Sequence, residues 1–261
     1  MEATLGVVDE VRIEAACKGL KLPGVSRLWR GLAREATQAG QSHAAFLAAL
    51  LEAELQNRRE NVLRQRLRDA RFPVLKTLDT FDFTAQPSVD KGRILSLARG
   101  DFVRGHETVL HVGKPGSGKS HLGVSIGLGC LNAGYRVRFT TAVALANELV
   151  AAAHEHHLPR TLRSWRRFDL VILDELGFLP LSRDGGHALF QFCADRYETG
   201  ALLVTTNLEF SRWTEVFGDA EMTAALLDRL LHHAHIIEHT GESYRFRETM
   251  RDKASSREVR S

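Results

Sequence analysis

The chain has 261 residues, 44% hydrophobic and 26% charged, ordinary proportions for a globular protein with room for one α/β core and a smaller module. No apolar run approaches a membrane span, and the first residues lack the basic-then-apolar order of a signal peptide. Cys17, Cys130 and Cys193 are scattered without metal-ligand spacing, so a reduced, cytoplasmic setting is expected, and a net charge of +3 permits a polyanionic partner without requiring one.

In chain order, Ser42 sits where a helix N-cap would fall. Phe46, Leu47, Leu50 and Leu51 then recur at helical spacing, as do Leu63, Leu67 and Ala70. Residues 1–72 therefore read as a small helical N-terminal domain. Its end is basic: Arg58, Arg59, Arg64, Arg66, Arg68 and Arg71 stand against Glu60 and Asp69. A solvated arginine face and a surface for the phosphate backbone of duplex DNA are both open readings, and Arg58, Arg59, Arg64 and Arg66 are the candidate contacts. From Phe72 to Phe83 the apolar residues lose regular spacing, and Pro73 and Pro87 punctuate the segment. Residues 73–100 read as a linker docked on a second domain at 101–249, with 250–261 as a flexible basic tail.

The second domain opens with the strand-like run Thr108-Val109-Leu110-His111-Val112. Gly113-Lys114-Pro115-Gly116-Ser117-Gly118-Lys119-Ser120 follows and fits G-x-x-x-x-G-K-[ST], the phosphate loop of P-loop NTPases. The glycines let backbone N–H groups converge on an anion, and a helix starting near Lys119 adds partial positive charge there. Lys119 would reach the β- and γ-phosphates of ATP, and the Ser120 hydroxyl would complete a Mg²⁺ site. Gly123 and Gly127 inside that helix are costly for a helix interior, and close packing on a sheet would explain them.

Tyr135 to Thr140 forms a further strand candidate. Arg160, Arg163, Arg166 and Arg167, with Trp165 between them, form a second basic cluster. Arginines beside an aromatic suit nucleic acid, and Trp165 equally suits a core. Asp169 to Leu173 is a continuous apolar run, expected for a strand buried on both faces, and it ends in Asp174-Glu175. Asp174 can hold Mg²⁺, and Glu175 is placed to act as general base on the attacking water. Ala201 to Asn207 is the next strand candidate, and Asn207 at its tip can contact that water or the γ-phosphate. Histidines 154, 156, 157, 232, 233, 235 and 239 lack the order of a zinc motif. Strands alternating with helical stretches give an α/β fold, a parallel sheet with helices on both faces.

These residues resemble the IstB-like ATP-binding proteins of insertion sequences, AAA+ ATPases of the initiator and helicase-loader group. The resemblance runs from about Ala33 to Arg247. It is carried by Phe46-Leu47 through Glu52 with the following arginines, Ala70-Arg71-Phe72-Pro73, Lys76-Thr77-Leu78 and Phe81-Asp82-Phe83. Further along it rests on Asp174 through Leu181, Arg196-Tyr197-Glu198, Thr205-Thr206-Asn207, Trp213, Phe217-Gly218-Asp219, Leu227-Asp228-Arg229-Leu230, His232-His233 and Gly241 to Arg245. Lys114 stands where the family commonly has proline, and Thr206 where it often has serine.

The resemblance implies an AAA+ P-loop core, with Asn207 as sensor residue and Arg229 as an arginine finger reaching a neighbouring subunit's ATP site. Arg245 is a weaker candidate for a phosphate or interface contact. It also implies a homo-oligomeric, ATP-hydrolysing helper of transposition that binds duplex DNA with little sequence preference and serves a transposase of the same element. A replicative helicase loader of the DnaC type and a P-loop kinase for a small metabolite are the other readings. The pair Asp174-Glu175, with Asn207 and Arg229, favours water over a metabolite hydroxyl as acceptor.

Overall fold

The structure, a computed structural model, describes residues 7–241 and 243. Arg245 and the tail expected at 250–261 lie outside the described residues. The chain divides into two compact units, Met1–Gln65 and Arg66–Ser261.

The first unit holds α1 (Val7–Gly19), α2 (Pro23–Gln38) and most of α3 (His43–Ala70). Pro23 opens α2 where its missing N–H is not needed, and the Ser42 hydroxyl accepts from the Ala45 N–H at 3.2 Å to start α3. A small core of Cys17, Val25 and Trp29, with Ile13, Leu22 and Leu50 against it, joins these helices. Glu54 reaches from α3 to the first turn of α2, accepting from the N–H groups of Gly24 at 2.7 Å and Val25 at 3.3 Å. Negative charge is favoured at a helix N-terminus. Burial alone would raise the Glu54 pKa, but the Arg58 guanidinium at 2.9 Å and these two N–H groups outweigh it, and the net shift is downward. Leu47 and Leu51 follow the expected helical spacing, yet each remains more than half exposed, because the unit's own small core meets α3 through Leu50.

In the second unit, two 3-10 turns at Leu78–Thr80 and Phe83–Ala85 lead to α4 (Lys91–Ala98) and α5 (Asp101–Arg104). The stretch read as a linker thus contains a helix, capped by the Asp90 carboxylate and buried through Ile94 and Leu97. Alternating elements follow: β1 (Thr108–Gly113), α6 (Lys119–Asn132), β2 (Val137–Thr141), α7 (Ala142–His154), α8 (Leu158–Trp165), β3 (Leu170–Leu176), α9 (Arg183–Arg196), β4 (Ala201–Thr206), α10 (Thr214–Phe217), α11 (Ala220–His232) and β5 (Ala234–His239). The five strands pair in the order β2-β3-β4-β1-β5, all parallel.

Strand alternation sends Val109, Ile172 and Leu203 to one face, against Leu122 and Ile126 of α6. Leu110, Val171, Leu173 and Val204 go to the other, against Leu145, Leu149, Leu189 and Phe192 of α7 and α9. Both faces are therefore covered, as a parallel sheet requires. The glycines inside α6 have the expected cause: a Cβ on Gly123 would lie 3.1 Å from Leu203 Cδ2, and one on Gly127 only 2.5 Å from Ile172 Cδ1.

Trp165 belongs to this core, 3% exposed, with its indole N–H donating to Glu148 Oε1 at 3.0 Å. It is no platform for stacking bases. Arg196 is likewise internal, its guanidinium donating to the carbonyls of Trp165, Phe168, Asp169 and Ala201. Burial lowers its pKa to about 10, and its role is to tie α9 to the start of the sheet. None of the described helices is long and apolar enough to cross a membrane.

Candidate functional site

Because every strand is parallel, β1, β3 and β4 deliver their carboxyl ends to one edge of the sheet, where α/β proteins place ligands. Between β1 and α6 the chain turns through Gly113, Gly116 and Gly118 at φ of +152°, +79° and +90°. Side chains rarely adopt those angles, so the motif glycines are demanded by backbone shape. Lys119 opens α6 and is almost wholly buried. Its ammonium donates to the carbonyls of Gly113 at 2.6 Å and Lys114 at 2.8 Å. Burial lowers its pKa to about 8, against the pull of Asp174 and Glu175. Lys114 and Pro115 are exposed on the outer rim of the loop.

Ser120 follows, and its hydroxyl donates to Asp174 Oδ1 at 2.8 Å, joining the phosphate loop to β3. Here the structure departs from the expected strand end. β3 continues to Leu176, and its register against β4 shifts between Leu173 and Leu176. The shift is a bulge at Asp174-Glu175, with Glu175 at φ +60°. A bulge re-aims side chains: Asp174 is buried at 5% exposure, while Glu175 turns out to solvent at the same edge.

β4 lies between β1 and β3, and one of its residues holds this bulge. The Thr205 hydroxyl donates to Asp174 Oδ1 at 2.5 Å and accepts from the Glu175 N–H at 3.0 Å. Sequence reasoning gave Thr205 no role of its own. The only signal was a hydroxyl at an interior strand position, which acquires meaning only from strand order. Asn207 stands just beyond β4, with its side-chain carbonyl buried and without a hydrogen bond among the described residues.

Arg229 is elsewhere. It lies on α11 in the wall of a cavity of about 250 Å³ that Thr108, Leu202 and His233 also line, at the amino-terminal edge of the sheet. Its guanidinium rests over the Phe190 ring, 5.7 Å from the centroid. β1 spans 6 residues, about 16 Å at the usual rise per strand residue, so Arg229 and the phosphate loop of one chain face opposite edges.

The basic candidates divide by what they touch. Arg58 pairs with Glu54 and donates to the Lys21 carbonyl at 3.1 Å, and Arg64 donates to Asn61. Arg166 grips Asp195 through two nitrogens, and Arg167 stacks on Phe168 at 4.7 Å. Arg66 is half-buried. Arg59, Arg160 and Arg163 are exposed and form no ion pair among the described residues. Among those residues no group of three or more His, Cys, Asp or Glu side chains is placed to hold a metal. The His232 and His233 rings lie against each other at a tilt of 59°, and His235 meets Glu107 at 2.6 Å.

This strand order, with a glycine loop after β1 and acids at the end of β3, is the P-loop fold of AAA+ type. The chain belongs to the IstB-like ATP binding protein family, whose profile matches residues 15–252. A Geobacillus stearothermophilus protein of insertion sequence IS5376, named for ATP binding, is 41% identical over 237 residues, 91% of this chain and 94% of its own. A Pseudomonas aeruginosa protein of insertion sequence IS21, named likewise, is 36% identical over 236 residues, 90% and 89% of the two chains. The crystal structure of the DnaC helicase loader superposes with a TM-score of 0.50 at 18% identity, over 57% of this chain and 86% of that one. At that identity the likeness is one of fold.

Proposed function

We propose that this chain is an ATP-hydrolysing helper of transposition, which assembles on duplex DNA with ATP bound between subunits and serves a transposase. The observation that carries the catalytic half is the Ser120–Asp174 contact at 2.8 Å, beneath a loop whose Gly113, Gly116 and Gly118 take the positive φ angles of the motif. Two hard oxygens at that spacing suit Mg²⁺, which usually takes one or two protein ligands and the phosphates. Mg²⁺ bound there would neutralise charge developing on the β- and γ-phosphates. Lys119 would bind those phosphates, Glu175 would take the proton of the attacking water, and Asn207 would orient that water through its free carbonyl oxygen. The insertion-sequence relatives match nearly their full length, which supports the transposition setting. A helicase-loader role has only the shared fold behind it. Buried, unpaired thiols at Cys17, Cys130 and Cys193 fit a reducing cytoplasm.

Thr205 makes the catalytic arrangement testable apart from the phosphate loop. Thr205→Val keeps shape but removes the hydroxyl that holds Asp174 and the Glu175 backbone. Phosphate release should fall about 10²-fold, the scale of a misplaced catalytic group, and stability by about 1–3 kcal/mol for buried groups left unpaired. Thr205→Ser should restore most of both. Wild-type turnover in a folded Thr205→Val protein would leave the Glu175 assignment without its support.

DNA binding is tested through Arg59, Arg160 and Arg163, exposed arginines that form no ion pair among the described residues. Arg59→Ala, Arg160→Ala and Arg163→Ala together should weaken binding equally on unrelated duplexes, measured by anisotropy with Mg²⁺-ATP over a salt series. Each DNA phosphate that loses its arginine should flatten the log–log salt slope by about 0.9. An unchanged slope would reduce both clusters to solvated faces.

A further inference from the structure

The buried polar tier at the carboxyl edge of the sheet continues past Thr205. β4 pairs Thr205 with His111 of β1, and β1 pairs Gly113 with His239 of β5. Both imidazoles are internal, at 0% and 2% exposure. His239 Nδ1 lies 3.1 Å from the Ser117 carbonyl oxygen in the phosphate loop, and its Nε2 lies 2.9 Å from His111 Nδ1.

The protons in this chain can be placed by elimination. A carbonyl only accepts, so His239 must carry hydrogen on Nδ1. A neutral ring then offers Nε2 as an acceptor, and His111 must donate from Nδ1. His111 Nε2 is left as a buried nitrogen without a hydrogen bond among the described residues. Burial, above all, keeps both rings uncharged, lowering His239 to about 4 and His111 well below its usual value, with Lys119 adding to both. A neutral pair with fixed donors is thus set beneath the loop.

Its consequence follows from peptide geometry. In a trans peptide the carbonyl and the next N–H point in opposite directions, and no described peptide is cis. Holding the Ser117 carbonyl on His239 turns the Gly118 N–H the other way. Gly113 lets β5 come this close, since a Cβ there would sit 2.4 Å from the His239 carbonyl oxygen. We propose that His239, braced by His111, is a positioning residue for the phosphate loop, fixing the Ser117–Gly118 peptide so that its N–H faces the phosphates. The inference rests on the ATP-site reading above.

The test is equilibrium binding of a fluorescent ATP analogue to the full chain, with Mg²⁺ and in EDTA, alongside thermal unfolding. His239→Leu should weaken affinity about tenfold or more, the worth of one lost buried hydrogen bond. His239→Asn, whose amide N–H falls where the ring Nδ1–H was, should recover most of it. Lys119→Ala should bind nothing. If the wild type binds, Lys119→Ala does not, and His239→Leu matches the wild type, the inference is overturned and the ATP-site reading stands. If Lys119→Ala binds like the wild type, the reading itself fails. Should His239→Leu not fold, ¹⁵N-histidine spectra of the wild-type chain decide. They should show His239 as the Nδ1–H tautomer, and an Nε2–H tautomer would overturn the proposal.

Discussion

Glu175→Gln is expected to slow ATP hydrolysis by about 10²–10⁴-fold, the usual contribution of a positioned general base, while Mg²⁺-ATP still binds. The split follows from where the two acids point. Asp174 is buried and accepts from both Ser120 and Thr205, so changing it would disturb the phosphate loop, the bulge and the metal ligand together. Glu175 is exposed, and it is held through its backbone: its N–H donates to Thr205 and its carbonyl accepts from the Phe178 N–H at 3.2 Å. Replacing its carboxylate with an amide leaves those backbone bonds and the φ of +60° untouched. Stability should stay within about 0.5 kcal/mol of wild type, as for other exposed substitutions. Single-turnover phosphate release with saturating Mg²⁺-ATP measures the loss. Normal turnover would move the base to another residue.

The parts of this site that could be read in the sequence are those whose chemistry is local. Gly113, Gly116 and Gly118 encode their own backbone angles, and the apolar run at Leu170 to Leu173 encodes its burial on both faces. α4 was also legible through Asp90 as cap and the spacing of Ile94 and Leu97, although irregular spacing and prolines before it pointed to a linker. What could not be read depends on which strands become neighbours. Thr205 matters because β4 falls between β1 and β3, and no local pattern sets that order. The His111–His239 contact joins residues 128 apart, which in sequence are two histidines among many. The bulge at Asp174-Glu175 carries no glycine to announce it. In sequence, Trp165 beside four arginines suits a nucleic-acid surface and a core equally, and Arg196 is legible only as part of the family resemblance. They are core because α8 turns Leu162 and Trp165 inward and because four backbone carbonyls converge on Arg196.

Arg229→Ala should leave ATP affinity nearly intact and lower hydrolysis by about 10³-fold or more, the range of arginine fingers supplied across an interface. The sheet gives the reason for acting in trans. Arg229 lies near Thr108, where β1 begins, and the phosphate loop starts where β1 ends. A side chain cannot span that length within one subunit, but a neighbour stacked edge to edge would bring its own amino edge to this ATP site. In the single chain the guanidinium rests on Phe190, a weak stacking contact that assembly can replace. Mixing tests the geometry. An Arg229→Ala subunit keeps a sound phosphate loop, and a Lys119→Ala subunit keeps a sound finger. Sites formed between unlike neighbours, with ATP on the Arg229→Ala subunit and Arg229 from the other, should be complete. Activity regained on mixing two inactive proteins would place catalysis at the interface. No recovery, together with a monomer in Mg²⁺-ATP at high protein concentration, would remove Arg229 from the reaction and leave its stacking on Phe190 as a packing contact of α11 with α9.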